Sequence, residues 1–296
     1  MGWLRASFEV PAAADAVADA LLERGALSVE LADAAEGTAA EQAIFDEPGA
    51  EPQPLWRHQR ISALFPDGVD VQAAIRTALR ALGQEAEPTL ALQPVAERDW
   101  VRATQEQFAP LQIGPRLWIV PSWCAPPDPR AVNLILDPGL AFGTGSHPTT
   151  WQCLRWLDAN LASGASVLDY GCGSGVLAIA AKRLGAGRVV AVDIDPAALE
   201  ATGRNAAANA TDIAVVPPDG VPPGPYTVVL ANILAGPLKL LAPLLASYSA
   251  PGAHLVLAGI LAQQAAGVAA AYAPWYDLVP ISEKDGWTCL AGARKR

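Results

Sequence analysis

The pattern of apolar and polar residues predicts alternating strands and amphipathic helices over the front part of the chain. Apolar and polar positions alternate in short runs such as 3–10 and 59–65, as they do in half-buried strands. Between such runs, Val71, Ile75 and Leu79 recur at helical spacing. The predicted order is strand 3–10, a helix around 17–21, strand 27–31, strands 43–45 and 59–65, helix 71–82 and strand 89–92. We interpret this as the β-α-β-β-α-β order of a small α+β, ferredoxin-like domain.

The pattern changes from Val167 onward, where short apolar strands alternate with longer helical runs. This is typical of a doubly wound parallel sheet covered by helices, a Rossmann-like α/β fold. The seven predicted strands are 166–169, 188–192, 213–216, 228–231, 254–257, 276–280 and 288–291. The polar stretch 98–107 predicts a helical connector. We therefore predict a ferredoxin-like domain at 1–95, a linker at 96–107 and a Rossmann-like domain at 108–296.

The composition favours a globular protein with a substantial core. Of 296 residues, 52% are hydrophobic and only 17% are charged, so enough apolar surface is available for burial. The formal net charge of −10 disfavours a large nucleic-acid footprint, which needs concentrated lysine and arginine. The charge suits a basic partner, although solubility alone explains it equally well.

The cysteines and the hydropathy pattern predict a cytoplasmic protein. Cys124, Cys153, Cys172 and Cys289 form no C-x-x-C pair, which argues against a disulfide framework and against a zinc site. The N-terminus lacks the pattern of a signal peptide. The most apolar stretch, 228–245, is interrupted by polar residues and prolines, so no membrane span is predicted.

The sharpest motif is the sequence Asp-Tyr-Gly-Cys-Gly-Ser-Gly at 169–175, between a predicted strand and a predicted helix. Glycines such as Gly171 and Gly173 let the backbone turn sharply and approach a ligand. Asp193 ends the next strand, 22 residues after Gly171, where a carboxylate can accept hydrogen bonds from ribose hydroxyls. The combination predicts a nucleotide-type cofactor. A dinucleotide fingerprint needs its third glycine at the position of Val176, so the spacing favours the first motif of S-adenosylmethionine-dependent methyltransferases.

A second candidate lies at the end of the fourth predicted strand of this sheet. Asn232 falls at the carboxyl edge, where ligands bind in open α/β sheets. It resembles the asparagine of the Asn-Pro-Pro-aromatic motif in methyltransferases that act on nitrogen. Here Ile233, Leu234 and Ala235 replace the prolines and the aromatic residue, so the aromatic clamp is absent from this segment. The alternative is that Asn232 only caps the following helix.

Several other polar residues are interpreted as structural. Asp195 followed by Pro196 predicts the cap and first turn of a helix. His147 has no serine, cysteine or carboxylate at a spacing that indicates a general base, and we interpret it as a residue that orders its loop. His58 and His254 also lack partners in the sequence, so we predict no metal site.

The glycine-rich segment 137–150 contains Phe-Gly-Thr-Gly-Ser-His-Pro-Thr-Thr and suits a lid over a ligand. With 169–175, 193–196 and 232–237, it resembles the bacterial ribosomal protein L11 methyltransferase family. The resemblance runs from about Asp99 to the C-terminus, and the front region matches in element order and length only.

The resemblance implies a seven-stranded class I methyltransferase domain, S-adenosylmethionine as cofactor, and trimethylation of α- and ε-amino groups of ribosomal protein L11. Carried over by position, Thr150, Gly171, Asp193 and Asn232 would contact the cofactor, with Gly173 in the same turn. Asn232 is also the candidate catalytic residue, because its side-chain oxygen can accept hydrogens from the attacking amine. The front domain would hold the basic ribosomal protein. We expect a monomer that makes no direct contact with nucleic acid.

Three alternatives remain at this stage. A nicotinamide-dependent oxidoreductase shares the strand, turn and acidic residue, but the glycine spacing opposes it. An RNA-binding protein with a vestigial cofactor site is opposed by the acidic charge and by the lack of a basic and aromatic stripe. A methyltransferase that acts on another protein or on a small amine is the alternative that the sequence excludes least.

Overall fold

The computed structural model describes residues 2–10, 14–35, 38, 56, 58–84, 88–95, 108–137 and 145–296. The chain divides into two compact units, residues 1–103 and 104–296. The predicted linker 96–107 and the predicted strand 43–45 lie outside the described residues.

The first unit has the predicted ferredoxin-like order of elements. Its elements are β1 (Trp3–Val10), α1 (Ala14–Leu22), β2 (Ser28–Asp33), β3 (Gln59–Pro66), α2 (Val71–Ala81) and β4 (Ala91–Val95). The strands form one antiparallel sheet in the order β2-β3-β1-β4. Phe8 and Phe65 on one face of the sheet share a buried core with Leu21 and Ile75 on the helices. The apolar face of the strands and the apolar faces of the two helices therefore pack together in one core, as the sequence predicts.

The second unit begins with a small three-stranded sheet that the sequence analysis did not predict. Its strands are β5 (Leu111–Gln112), β6 (Leu117–Val120) and β7 (Val132–Ile135), in the order β5-β6-β7. Strands of two to four residues are too short for a periodic pattern to be visible in the sequence.

A seven-stranded sheet forms the centre of this unit and confirms the predicted Rossmann-like fold. Its strands are β8 (Val167–Tyr170), β9 (Val189–Val192), β10 (Ala214–Val216), β11 (Tyr226–Asn232), β12 (Ser249–Leu261), β13 (Val279–Lys284) and β14 (Trp287–Ala293). Their order is β10-β9-β8-β11-β12-β14-β13. The first five in this order are parallel, and β14 runs antiparallel to both β12 and β13. The chain reverses its direction of winding between β8 and β11, which is where such sheets bind ligands.

Helices cover both faces of the large sheet. They are α3 (Pro148–Asn160), α4 (Val176–Arg183), α5 (Pro196–Ala208), α6 (Ala235–Tyr248) and α7 (Ala265–Tyr272). One core joins the sheet to α3 and α4 through residues such as Leu157 and Ile179, and another joins it to α6 and α7 through Leu238 and Tyr272. Burial on both faces explains why the central strands are almost wholly apolar. Across the described part of the chain, no helix is long and apolar enough to cross a membrane.

Candidate functional site

The glycine-rich turn between β8 and α4 requires its glycines. Gly171, Gly173 and Gly175 have φ angles of +80°, +54° and +77°, in the left-handed region that side chains disfavour. A Cβ atom on Gly171 would lie 2.3 Å from Cγ2 of Ile233, and one on Gly175 would lie 2.6 Å from Cγ2 of Thr202. Glycine is therefore required in this turn, because Ile233 and Thr202 pack directly against its backbone at Gly171 and Gly175.

Asp193 follows β9 directly and is joined to this turn. Its Oδ2 accepts a hydrogen bond from the Gly173 amide at 2.8 Å, and its Oδ1 accepts one from the Asp195 amide at 3.0 Å. Each carboxylate oxygen keeps capacity for a second hydrogen bond. Asp195 in turn caps α5, because its Oδ1 accepts from the Ala197 amide at 2.9 Å. The structural role predicted for Asp195 is therefore confirmed.

The next side chain, Ile194, is 86% exposed. A single exposed isoleucine is ordinary, but this one directly follows a carboxylate suited to a ribose. It offers an apolar surface to a base attached to that ribose. The sequence analysis did not select Ile194, although its place after Asp193 was visible in the sequence.

Asp169 lies fully buried in β8, below the glycine-rich turn. Its Oδ2 accepts a hydrogen bond from the Ala178 amide in the first turn of α4 at 3.1 Å, while its Oδ1 has no partner among the described residues. Burial raises the pKa of this carboxyl to about 7; the Ala178 hydrogen bond opposes the shift, and the charge of Asp193 adds to it. Asp169 belongs to the motif recognised in the sequence, but the motif alone did not indicate a role for it.

Asn232 and Thr150, two predicted site residues, meet at the carboxyl edge of the sheet. Asn232 is the last residue of β11, and its Nδ2 donates to Oγ1 of Thr150, in the first turn of α3, at 3.2 Å. The other polar atom of the amide, Oδ1, is buried and has no partner within the described residues. The following helix is capped at Leu234 without a side-chain hydrogen bond, so the interpretation of Asn232 as a helix cap is wrong.

An unpartnered buried amide oxygen costs about 1 to 3 kcal/mol unless a donor reaches it. Because Thr150 accepts from the amide nitrogen of Asn232, the amide is held with its carbonyl oxygen available for such a donor. An amine N–H is a donor of this kind. The arrangement can therefore bind and orient an amine beside the glycine-rich turn.

His147 caps α3 and has the ordering role expected of it. Its Nδ1 accepts from the Thr149 amide at 3.4 Å and lies 2.8 Å from Oγ1 of Thr149. Its ring meets the ring of Trp287 edge to face, with centroids 5.3 Å apart. Burial lowers the pKa of His147, which favours the uncharged imidazole. The part of the predicted lid at 138–144 lies outside the described residues.

Two side chains of α5, Thr202 and Asn205, hold the glycine-rich turn by hydrogen bonds. Neither residue was predicted from the sequence. Thr202 Oγ1 donates to the Gly173 carbonyl at 3.0 Å, and Asn205 Nδ2 donates to the Ser174 carbonyl at 2.8 Å. The two side chains are three residues apart and therefore lie on one face of the helix. This face fixes the shape of the turn.

The sheet order, with antiparallel β14 between β12 and β13, and the pairing of the turn with Asp193 define the class I methyltransferase fold. The family model described as "Ribosomal protein L11 methyltransferase (PrmA)" matches residues 3–295. The chain belongs to the ribosomal protein L11 methyltransferase family.

Individual relatives agree with this assignment. The ribosomal protein L11 methyltransferase of Bordetella bronchiseptica is 53% identical over 298 residues, with 96% of each chain covered. That of Dechloromonas aromatica is 49% identical, covering 99% of this chain and 100% of the relative. A crystal structure of ribosomal protein L11 methylase from Lactobacillus delbrueckii subsp. bulgaricus is 33% identical, with a TM-score of 0.58, and covers 64% of this chain and 100% of that one.

Proposed function

We propose that this enzyme transfers methyl groups from S-adenosylmethionine to the N-terminal α-amino group and lysine ε-amino groups of ribosomal protein L11, up to the trimethylated state. The observation that carries the proposal is the buried, unpartnered Oδ1 of Asn232, held by Thr150 next to the glycine-rich turn. Family membership supports the same substrate.

The residues present fit S-adenosylmethionine, whose sulfonium supplies an electrophilic methyl group. The backbone at Gly171 and Gly173 has positive φ and carries no side chain, so a ligand can approach it closely. Asp193 suits the ribose hydroxyls, and the exposed Ile194 suits one face of the adenine. None of these contacts needs the pyrophosphate of a dinucleotide, which disfavours the nicotinamide alternative.

The acceptor amine must be neutral to attack, because only the neutral form has a lone pair. A lysine with a pKa of about 10.4 pays about 4 to 5 kcal/mol at pH 7 to lose its proton. A site that excludes water lowers this cost, because it disfavours the charged form. Asn232 then accepts an N–H hydrogen bond and aims the lone pair at the methyl carbon. Bound S-adenosylmethionine would supply the methyl group; the first two methylated products would each release a proton to water before the next transfer, and the trimethylated nitrogen has no proton to release. Catalysis is mostly positioning.

The first unit is proposed to hold the substrate protein. It contains a cavity of about 420 Å³ lined by residues of β1, β3 and the segment that leads into β4, with Glu9 and Arg60 among them. Glu9 is exposed, and the whole chain carries a net charge of −10. Both features suit a basic partner.

We propose a cytoplasmic reaction, which the free thiols of Cys124, Cys153, Cys172 and Cys289 support. A monomer without nucleic-acid contacts remains our prediction.

The test is incubation with labelled S-adenosylmethionine and the total ribosomal proteins of cells that lack this activity, followed by mass spectrometry. The proposal predicts that L11 gains the methyl groups. Labelling of a different protein, or of none, contradicts it. Thermal protection by S-adenosylmethionine but not by a nicotinamide dinucleotide separates the methyltransferase from the oxidoreductase.

A further inference from the structure

The segment after Asn232 contains no aromatic residue, and Trp287, far away in the sequence, is a candidate for that part of the site. Trp287 begins β14, directly after the two-residue turn of Asp285 and Gly286. Both turn residues have positive φ, +51° and +77°, which gives the tight type I′ hairpin turn. The turn therefore fixes where the backbone of Trp287 lies at the carboxyl edge of the sheet.

Side chains of α3 hold this hairpin in place. Gln152, which is 1% exposed, donates from Nε2 to the Trp287 carbonyl at 3.0 Å. Lys284, paired with Trp287 across the turn, places its Nζ 4.8 Å from the ring centroid of Trp151. The indole of Trp287 itself packs edge to face against His147. Trp287 is therefore held by its backbone through Gln152 and by its ring through His147, and its side chain is only partly buried.

This ring lies at the same end of α3 as the amine site. His147 caps α3, and Thr150, in the first turn of the same helix, accepts the hydrogen bond from Asn232. In the sheet, Asn232 pairs with Ala258 and Trp287 pairs with Leu261, so both lie near the carboxyl end of β12. The aromatic pair of His147 and Trp287 therefore lies at the end of α3 that carries Thr150, the partner of Asn232.

The chemistry of repeated methylation requires such a surface. Each transfer replaces one N–H by a methyl group, so a dimethylated neutral amine has no hydrogen left for Asn232 to accept. Hydrogen bonding cannot orient the nitrogen for the last transfer. As the neutral dimethylated amine attacks, positive charge develops on its methyl-covered nitrogen, and the face of an aromatic ring attracts that charge, tryptophan most strongly. The uncharged state of His147 adds no repulsion.

We propose that the indole of Trp287, held against His147, forms one wall of the acceptor pocket and binds the partly methylated amine, so that it determines how many methyl groups each amine receives. This inference rests on the proposed methylation of L11. It assigns to Trp287 a role in specificity for the later transfers, while Asn232 governs the first ones.

The test compares two substrates: unmodified recombinant L11, and L11 whose amines have been dimethylated chemically by formaldehyde and a borohydride. The variants are Trp287→Leu and Trp287→Phe. With Trp287→Leu, transfer to the dimethylated protein should fall by about 2- to 30-fold more than transfer to unmodified L11, the range expected for a cation–π contact. Mass spectrometry should then show dimethylated products accumulating, and Trp287→Phe should lie between the two.

Trp275→Leu is the matched control. Trp275 lies at the opposite end of β14, where its carbonyl accepts from the Lys295 amide at 2.8 Å, so its loss should leave the ratio of the two rates unchanged. An equal loss on both substrates in Trp287→Leu, or no loss on either, overturns the role of Trp287. If the unaltered enzyme transfers no methyl group to unmodified L11, the proposed function itself fails.

Discussion

Replacement of Asp169 by asparagine should change how the stability of the second unit depends on pH. Asp169 is fully buried, one of its oxygens has no partner among the described residues, and burial raises the pKa of the folded-state carboxyl to about 7 from its ordinary value of 3.8. The folded chain therefore holds a proton that the unfolded chain has already released. Between those two pKa values, the free energy of unfolding must fall as the pH rises.

The size of the change in the free energy of unfolding follows from the pKa shift of Asp169. One pKa unit corresponds to about 1.4 kcal/mol, so the full rise costs about 4 kcal/mol of stability once the pH exceeds 7. Below about pH 3 the cost is absent, because the carboxyl is protonated in both states. Since the sequence pI is about 4.8, measurements are best made from pH 5.5 to 8 to avoid precipitation. Over that window the expected loss is about 2 kcal/mol.

The assay is urea unfolding of the parent and of Asp169→Asn, followed by tryptophan fluorescence. Asparagine does not titrate, so the stability of the variant relative to the parent should increase by about 2 kcal/mol from pH 5.5 to pH 8. The test is how the stability difference between the variant and the parent changes with pH. A part of this difference that stays the same at every pH reflects the altered hydrogen bonds of the amide. Asp212→Asn, at an exposed position of the same unit, controls for the loss of one carboxylate. A difference between Asp169→Asn and the parent that stays constant with pH would refute the assignment.

Four further substitutions test the site. Asn232→Ala should lower turnover by about 100-fold through lost positioning, with the fold intact by circular dichroism; an unaltered rate removes Asn232 from the mechanism. Asp193→Ala should weaken S-adenosylmethionine binding by about 1.5 to 3 kcal/mol in calorimetry, and equal affinity contradicts its role at the ribose. Gly171→Ala should lower stability by about 1 to 3 kcal/mol, because of its positive φ and the contact with Ile233; a neutral effect would mean that the turn can relax. Thr150→Val should slow turnover while Thr150→Ser restores it, and equal rates for the two would show that the hydroxyl does not orient Asn232.

The large sheet could be predicted because its strands are buried on both faces and read as apolar runs. The ends of the strands were less accurate. The strand predicted at 254–257 extends over Ser249–Leu261. The prediction was too short because Pro251 and Gly259, which usually interrupt strands, lie near the two ends of this one. The strand predicted at 276–280 lies at Val279–Lys284, an exposed edge strand with a weak apolar pattern. Edge strands are specified by their neighbours more than by their own composition.

The site was predictable only where it is local in the sequence. The turn with Gly171 and the carboxylate of Asp193 follow consecutive strands, and parallel strands bring their carboxyl ends together. The role of Asp169 depends on its complete burial, which a motif does not reveal. The contact of Trp287 with His147 joins segments far apart in the chain, and no pattern in either segment indicates the other.

We propose that the glycine-rich turn and Asp193 hold S-adenosylmethionine with its methyl group facing Asn232. A crystal structure with the demethylated product S-adenosylhomocysteine is the decisive measurement. We expect ribose hydroxyls within hydrogen-bond distance of the Asp193 carboxylate and the sulfur directed toward the Asn232 side chain. A ligand bound elsewhere on the sheet, or a sulfur turned away from Asn232, would contradict it.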